Sequence, residues 1–213
     1  MFSSNLPKEI VDQYNKMNHM VFKDPKKTKT IAFVSSRDGE GTSTIAANFA
    51  ICLAADPQLT ILLIDGNLRK PILHDVFDVD RENGLSDIIL SDIDLHSTVK
   101  KTMFPNLLLI TAGRHIVDLR QMYKASRLVE ILESQAKQVD YILFDFPPVN
   151  SYPESAVLAS QCDGTILVVR AGAVRREVVC NAQQQLIKVQ ANILGVVLNR
   201  RKYYIPKFLY NRL

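Results

Sequence analysis

Apolar residues recur along this chain in short continuous runs that are separated by polar or helical segments. Runs of this kind predict strands at residues 30–35, 60–65, 106–112, 141–145, 165–169 and 193–199. Because the runs are continuous rather than alternating, both faces of each strand are expected to be buried, as in a parallel sheet that is covered by helices on both sides.

The segments between these runs carry apolar residues at helical spacing. They predict helices at residues 3–22, 43–55, 83–90, 126–138, 153–160 and 174–190, the first with Pro7 in its opening turn. Strands that alternate with helices form right-handed βαβ units. The predicted fold class is therefore α/β, a doubly wound and mostly parallel sheet flanked by helices.

The composition favours one globular domain. The chain has 213 residues, of which 47% are hydrophobic and 23% are charged, and this is enough for a substantial core. We expect a single domain over residues 1–213, with an N-terminal helix and basic linker at 1–29 and a basic, tyrosine-containing tail at 200–213. That tail is either a solvated end or a contact for phosphates, an anionic membrane or an acidic partner.

Cysteine usage and hydropathy indicate a compartment. The three cysteines are odd in number and widely spaced, which fits free thiols of a reducing compartment better than a disulfide framework or a metal site. The sequence shows no secretory signal, and no apolar run approaches the ~20 residues of a transmembrane helix. We therefore expect a cytoplasmic protein that meets a membrane only through a partner or through its tail.

The loop after the first predicted strand, SSRDGEGTST at residues 35–44, is a candidate anion site. Gly39 and Gly41 let backbone N–H groups approach an anion, and the next helix directs its N-terminus at the same place. Ser43 matches the hydroxyl that ligates Mg²⁺ in a phosphate-binding P-loop. Because Thr42 stands where such a loop has lysine, a glycine-rich turn with Ser43 or Thr44 as helix N-cap explains the loop equally well.

Acidic residues end two other predicted strands, and the carboxyl ends of parallel strands meet at one edge of a sheet. These residues are Asp65 and Asp145, and each alone is explained by a turn before proline. Together with the glycine loop they predict a site for nucleotide and Mg²⁺, with Asp145 in the position of a Walker B acid. Arg170 and Asn199 lie at further strand ends, and topology alone predicts that they contact the nucleotide.

These segments resemble the cytoplasmic kinase domain of bacterial tyrosine kinases, the autokinases associated with polysaccharide co-polymerases. That family belongs to the deviant P-loop ATPases, with the partitioning and septum-site proteins. SSRDGEGTST resembles its Walker A segment, ILLIDGNLRKP resembles its Asp-x-Asp-x-Arg motif, and YILFDFPPV resembles its Walker B segment. The resemblance spans nearly the whole chain and implies a fold like that of the P-loop NTPases.

The resemblance implies that ATP or ADP binds with Mg²⁺, and it assigns roles to individual residues. Nucleotide-binding roles are predicted for Asp38, Gly39, Glu40, Gly41, Thr42, Ser43, Thr44, Arg69, Arg170 and Asn199. Mg²⁺ ligation is predicted for Ser43, Asp65 and Asp145, and catalytic roles for Asp65, Asn67 and Asp145. The candidate phosphorylation sites are Tyr203, Tyr204 and Tyr210, although a basic aromatic tail that packs on the domain or touches a membrane is equally consistent with them.

The resemblance also implies a biological setting. Kinases of this family phosphorylate their own tyrosine clusters in trans and are activated by the cytoplasmic end of a membrane chain-length-determinant protein, the polysaccharide co-polymerase. They control the length and export of capsular or extracellular polysaccharide. The chain is therefore expected at the inner face of the cell membrane, where it is held by that partner and acts with itself or with an active paralogue; no nucleic-acid partner is expected.

Three departures from the family pattern bear on activity. Thr42 replaces the P-loop lysine, Asn67 replaces the second acid, and the N-terminal Glu-x-x-Arg-x-x-Arg oligomerisation motif has no match after Glu9. The lysine normally stabilises the negative charge of the phosphate while it is transferred. Loss of one such donor costs ~10²–10³ in rate. The sequence therefore predicts a pseudokinase that keeps the fold.

Two alternatives stay open. One is an active tyrosine autokinase whose cation is displaced, with Arg37, Arg69 or Lys70 partly replacing the missing lysine. The other is a partitioning-type ATPase that acts on nucleic acid or membrane; the basic tail allows it, whereas the segments next to the motifs argue against it.

Overall fold

The computed structural model describes residues 7–22, 28–90, 95–114 and 138–201. The helices in these ranges are α1 (Lys8–Val21), α2 (Thr42–Leu53), α3 (Leu73–Phe77), α4 (Leu85–Leu90), α5 (Leu95–Thr98), α6 (Glu154–Ala159) and α7 (Arg176–Lys188). The strands are β1 (Thr30–Ser35), β2 (Ile61–Asp65), β3 (Lys100–Lys101), β4 (Leu107–Ile110), β5 (Tyr141–Asp145), β6 (Gly164–Arg170) and β7 (Ile193–Asn199).

The strands form one sheet in the order β3-β4-β2-β5-β1-β6-β7. The short β3 is antiparallel to β4, and every other neighbouring pair is parallel. This arrangement confirms the predicted α/β class with a mostly parallel sheet. The central position of β5 and β1 brings the loops after β1, β2 and β5 to the same edge.

Two apolar clusters cover the two faces of the sheet, which explains the continuous apolar runs. Ala32 and Val34 of β1 belong to one cluster, whereas the intervening Phe33 belongs to the other. The second cluster includes Phe22, which follows α1 and packs at a tilt against the Tyr141 ring with a centroid separation of 4.0 Å. Helix α1 is attached to this cluster by Tyr14 and Val21, whereas Ile10 near its start is 42% exposed.

Some predicted elements differ from the observed ones. The strand predicted at 106–112 ends at Ile110, because the carbonyls of Thr111 and Ala112 accept hydrogen bonds from Leu85 N and Ser86 N at the start of α4. The short elements α3, α5 and β3 were not predicted. The predicted helix at 126–138 lies, apart from its last residue, outside the described residues.

Among the described residues, no helix is both long enough and apolar enough to cross a bilayer.

Candidate functional site

The loop between β1 and α2 depends on two glycines in the left-handed region. Gly39 has a φ of 80° and Gly41 has a φ of 89°, values that residues with a Cβ rarely adopt. A Cβ on Gly41 would also overlap the Asn199 side chain at the end of β7. Gly41 is therefore required both by its backbone conformation and by this close contact, and α2 begins at the next residue.

Glu40 lies between these glycines, and its side chain is buried beneath the loop. Its carboxylate accepts hydrogen bonds from Ser36 N and Ser36 Oγ at 2.7 Å, from Arg37 N at 2.8 Å and from Arg170 N at 3.1 Å. Its backbone carbonyl accepts a hydrogen bond of 2.8 Å from Asn199 Nδ2. Glu40 therefore joins the loop to the ends of β6 and β7.

Asp65 and Asp145 lie next to each other at the same edge of the sheet. They end β2 and β5 and are paired in register, so that their side chains project from the same face. Both residues are fully buried. Asp65 accepts backbone hydrogen bonds of 3.2 Å from Asn67, 3.3 Å from Ile72 and 3.1 Å from Leu73. Neither carboxylate oxygen of Asp145 has a hydrogen-bond partner in the described part of the chain.

Burial dominates the titration of these two carboxyls. It raises the pKa of Asp65 to about 7, and the backbone hydrogen bonds oppose this shift only in part. Burial also raises the pKa of Asp145 well above its ordinary value, and the nearby charge of Asp65 adds to the effect. The Ser43 hydroxyl lowers the pKa of Asp145 in part, although it does not reach hydrogen-bonding geometry. A positive ligand would stabilise the ionised form of both acids.

A cleft of about 290 Å³ lies beside the glycine loop. Seven residues with predicted roles line it: Asp38, Gly39, Gly41, Thr42, Ser43, Thr44 and Asn67. The other lining residues are Ser35, Lys70, Ile72, Phe146 and Pro148. Sequence reasoning assigned an individual role only to Lys70 among these five, although Ser35, Phe146 and Pro148 lie in the motif segments identified from it. Phe146 and Pro148 directly follow the acid of β5, where ligands gather beyond the strand ends.

The three cations near the loop have different positions. Arg37 donates a hydrogen bond of 2.6 Å to the Ala173 carbonyl, and the Arg69 guanidinium lies 5.8 Å from the centre of the Tyr152 ring. Neither of these arginines lines the cleft, whereas Lys70 does. Lys70 is therefore the one basic residue among the described residues of the cleft wall.

Four residues with predicted nucleotide contacts lie elsewhere: Glu40, Arg69, Arg170 and Asn199 do not line the cleft. Glu40 is turned toward the backbone of the loop and of β6. Direct nucleotide contacts by these residues stay predictions. The candidate phosphorylation sites Tyr203, Tyr204 and Tyr210 lie outside the described residues.

Asp145 and Ser43 fit a divalent cation such as Mg²⁺, although neither Asp65 nor Asp145 is among the residues that line the cleft. Asp145, directly before the lining residue Phe146, offers two carboxylate oxygens without a partner among the described residues, and the neighbouring Ser43 offers a hydroxyl. No group of three or more His, Cys, Asp or Glu side chains that could hold a metal occurs in the described ranges. Proteins often hold Mg²⁺ through one or two carboxylates together with substrate phosphates and water.

Comparisons with known proteins agree with this architecture. Residues 28–195 match a family described as the AAA domain. The tyrosine-protein kinase CpsD of Streptococcus agalactiae is 28% identical over 194 residues, which covers 91% of this chain and 84% of that protein. The putative tyrosine-protein kinase CapB of Staphylococcus aureus is 30% identical over 172 residues, which covers 81% of this chain and 75% of that protein.

Two solved structures extend the comparison. The chimerical protein CapA2B2 superposes with a TM-score of 0.85 over 92% of this chain and 87% of that one, and its 24% identity supports the fold alone. The septum site-determining protein MinD from Pyrococcus horikoshii, complexed with Mg-ADP, has a TM-score of 0.66 and 26% identity over 87% of this chain and 76% of that one.

Proposed function

This chain belongs to the AAA domain family and to the bacterial tyrosine kinases, and we propose that it binds nucleotide with Mg²⁺ but transfers phosphate weakly or not at all. The proposed ligand is ATP or ADP. The related MinD structure contains Mg-ADP, which is the same class of ligand.

The carboxylate of Asp145 carries this proposal, because it is buried next to the cleft residue Phe146 and has no hydrogen-bond partner among the described residues. A carboxyl that is buried without a partner is costly to ionise. Its position next to a glycine loop is explained if a bound cation compensates its negative charge. In our proposal Asp145 and Ser43 would hold Mg²⁺, and Asp65, in register with Asp145, would add negative charge next to them. The ion neutralises phosphate charge when bound, while the loop amides and the N-terminus of α2 receive the phosphates.

Two residues in the cleft wall account for the proposed loss of catalysis. Thr42 is 9% exposed at the start of α2, and its hydroxyl carries no charge to follow a phosphate during transfer. Asn67 also lines the cleft, and its amide cannot take a proton from an attacking hydroxyl. Loss of one preorganised donor alone costs ~10²–10³ in rate. We therefore expect nucleotide binding to be kept while phosphate transfer is lost.

Family membership supports a wider proposal about biological role. We place the protein in the branch that serves capsular or extracellular polysaccharide, as a single domain that binds the cytoplasmic end of a membrane chain-length-determinant protein. It would regulate that export complex at the inner face of the cell membrane, or compete there with an active paralogue. Its tail tyrosines are the proposed acceptors of phosphate from such a paralogue.

Nucleotide binding is tested by calorimetry with ADP and ATP in the presence of Mg²⁺. We expect binding to the unaltered protein and none to Gly41→Ala, because that substitution is strained by its φ and overlaps Asn199. Gly195→Ala is the matched control, since a Cβ there meets nothing within 4 Å. If neither nucleotide binds the unaltered protein at millimolar concentration, the proposed ligand is wrong.

Phosphate transfer is tested with labelled ATP, followed by mapping of phosphotyrosine at Tyr203, Tyr204 and Tyr210. We expect little labelling of the unaltered protein and a gain on combining Thr42→Lys with Asn67→Asp, which restores the charges of the family pattern. Because Lys70 lines the cleft, an active autokinase with a displaced cation is the second candidate. Strong labelling of the unaltered protein would replace our proposal with that one.

A further inference from the structure

We propose that Lys70 supplies the cation that the glycine loop lacks, and that Asp38 holds its ammonium group until a nucleotide takes it. This inference rests on the proposed function, because it concerns the same cleft. It assigns a phosphate-binding role to Lys70 and the role of an internal competitor to Asp38.

The position of Lys70 is fixed at its backbone. Lys70 N donates a hydrogen bond of 3.2 Å to Asn67 Oδ1, and Asn67 N donates one of 3.2 Å to Asp65 Oδ1. The chain of contacts therefore runs from the buried acid of β2 to the base of the lysine side chain. The sheet thus fixes the backbone position from which the Lys70 side chain extends, while the four-carbon stem leaves the ammonium group free to move.

The ammonium group is already at the loop. Lys70 Nζ donates a hydrogen bond of 2.8 Å to Asp38 Oδ2, and both residues line the cleft. The Asp38 carboxylate, through its hydrogen bond and its charge, raises the pKa of Lys70, so the group is charged at neutral pH. The loop thus has a cation within reach although Thr42 carries none.

In the ion pair between Lys70 and Asp38, a ligand phosphate can replace Asp38 as the partner of the ammonium group. Their side chains are 65% and 49% exposed, and exposed ion pairs of this kind contribute little to stability. A polyphosphate brings several negative charges and more acceptor oxygens than one carboxylate, so it competes well for the ammonium group. Arg37 and Arg69 are engaged with Ala173 and Tyr152 instead.

Calorimetry of Mg-ADP and Mg-ATP binding to variants tests this inference. Lys70→Ala is expected to weaken binding about tenfold, the effect of losing one charged hydrogen bond to phosphate. Lys70→Arg keeps the charge and should bind nearly as well as the unaltered protein, and Arg69→Ala should lose less affinity than Lys70→Ala. The charge-matched control is Lys188→Ala, which is exposed in the last turn of α7 and should bind normally.

A double-mutant comparison tests the competition itself. Asp38→Asn frees Lys70 and should tighten binding about threefold, by the small free energy of an exposed ion pair. The same substitution in the Lys70→Ala protein should tighten binding less, because only the direct repulsion between the Asp38 carboxylate and the phosphates is then removed. If Asp38→Asn weakens binding in both backgrounds, the proposed competition is wrong.

The possible failures are distinguishable. Normal nucleotide affinity in Lys70→Ala overturns this inference and leaves the proposed function standing. Lack of binding to the unaltered protein overturns the proposed function, and the inference falls with it. Thermal unfolding without nucleotide provides the check on folding: the Lys70 variants should have unchanged midpoints because the side chain is exposed.

Discussion

Two buried carboxylates near the cleft, those of Glu40 and Asp145, have opposite surroundings. Glu40 is 1% exposed and accepts four hydrogen bonds. Asp145 is 0% exposed and accepts none from the described residues. Burial is thus nearly the same for both side chains, whereas the number of donors around them differs completely.

This difference separates a structural acid from a ligand-binding one. The donors around Glu40 belong to the loop and to the end of β6, so its charge is compensated within the fold and it sets the loop conformation. Asp145 has no such compensation, and its position in register with Asp65 makes ionisation more costly. An uncompensated acid beside an open cleft is explained by a ligand from outside the chain.

The strongest test of the comparison is Glu40→Ala. The substitution leaves the N–H groups of Ser36, Arg37 and Arg170 without their acceptor, so we expect the free energy of unfolding to fall by about 4 kcal/mol or more. Nucleotide binding should be lost as well, because the loop loses its tie to β6. Urea unfolding and calorimetry measure these effects.

The matched control for Glu40→Ala is Glu177→Ala, at an exposed position in the first turn of α7. Its cost should stay below about 1 kcal/mol, the range of a charge near a helix N-terminus. Equal destabilisation by the two substitutions would contradict the structural role of Glu40.

The fold was predictable from the chain because its signal is local. Continuous apolar runs placed β1, β5 and β7 with their observed bounds. Helix α3 was missed because five residues are too few for a periodic pattern, and its start is held from outside the helix, by the hydrogen bond from Leu73 N to Asp65 at the end of β2. The family resemblance, which depends on motif letters and their order, was confirmed.

The site was only partly predictable, because motif position does not give side-chain direction. The sequence predicted Asp65 and Asp145 at one edge, and the sheet pairs them in register. It gave Glu40 a nucleotide-binding role, yet the side chain bonds Arg170, which is 130 residues away in the chain. The contact between Lys70 and Asp38 spans 32 residues, and no local pattern indicates it.

A second test uses the pH dependence of stability, which should differ between the unaltered protein and Asp65→Asn. In the unfolded chain an Asp loses its proton near pH 4, whereas the folded protein holds the proton until its pKa of about 7. Between these values the folded state binds more protons than the unfolded state, so the free energy of unfolding falls as pH rises.

The shift of about three pKa units for Asp65 corresponds to a loss of up to about 4 kcal/mol between pH 4 and pH 7. Urea unfolding across this range should show a fall in the unaltered protein that is smaller or missing in Asp65→Asn. Parallel pH profiles for the two proteins would mean that Asp65 is not held protonated by burial.

The smallest stability effect is expected for Asp145→Asn, and it has the opposite sign from that of Glu40→Ala. The amide has nearly the same shape but removes the like-charge interaction with Asp65, so raising the pH should favour the variant without ligand, by about 1 kcal/mol once both acids are ionised. Burial raises the pKa of Asp145, and the gain should vanish as the pH falls and the acid takes up its proton. The variant should also lose the part of its nucleotide affinity that depends on Mg²⁺, measured by calorimetry with and without the ion. If the variant is destabilised at high pH and its nucleotide affinity still depends on Mg²⁺, then Asp145 is a structural acid like Glu40, with its charge compensated inside the fold.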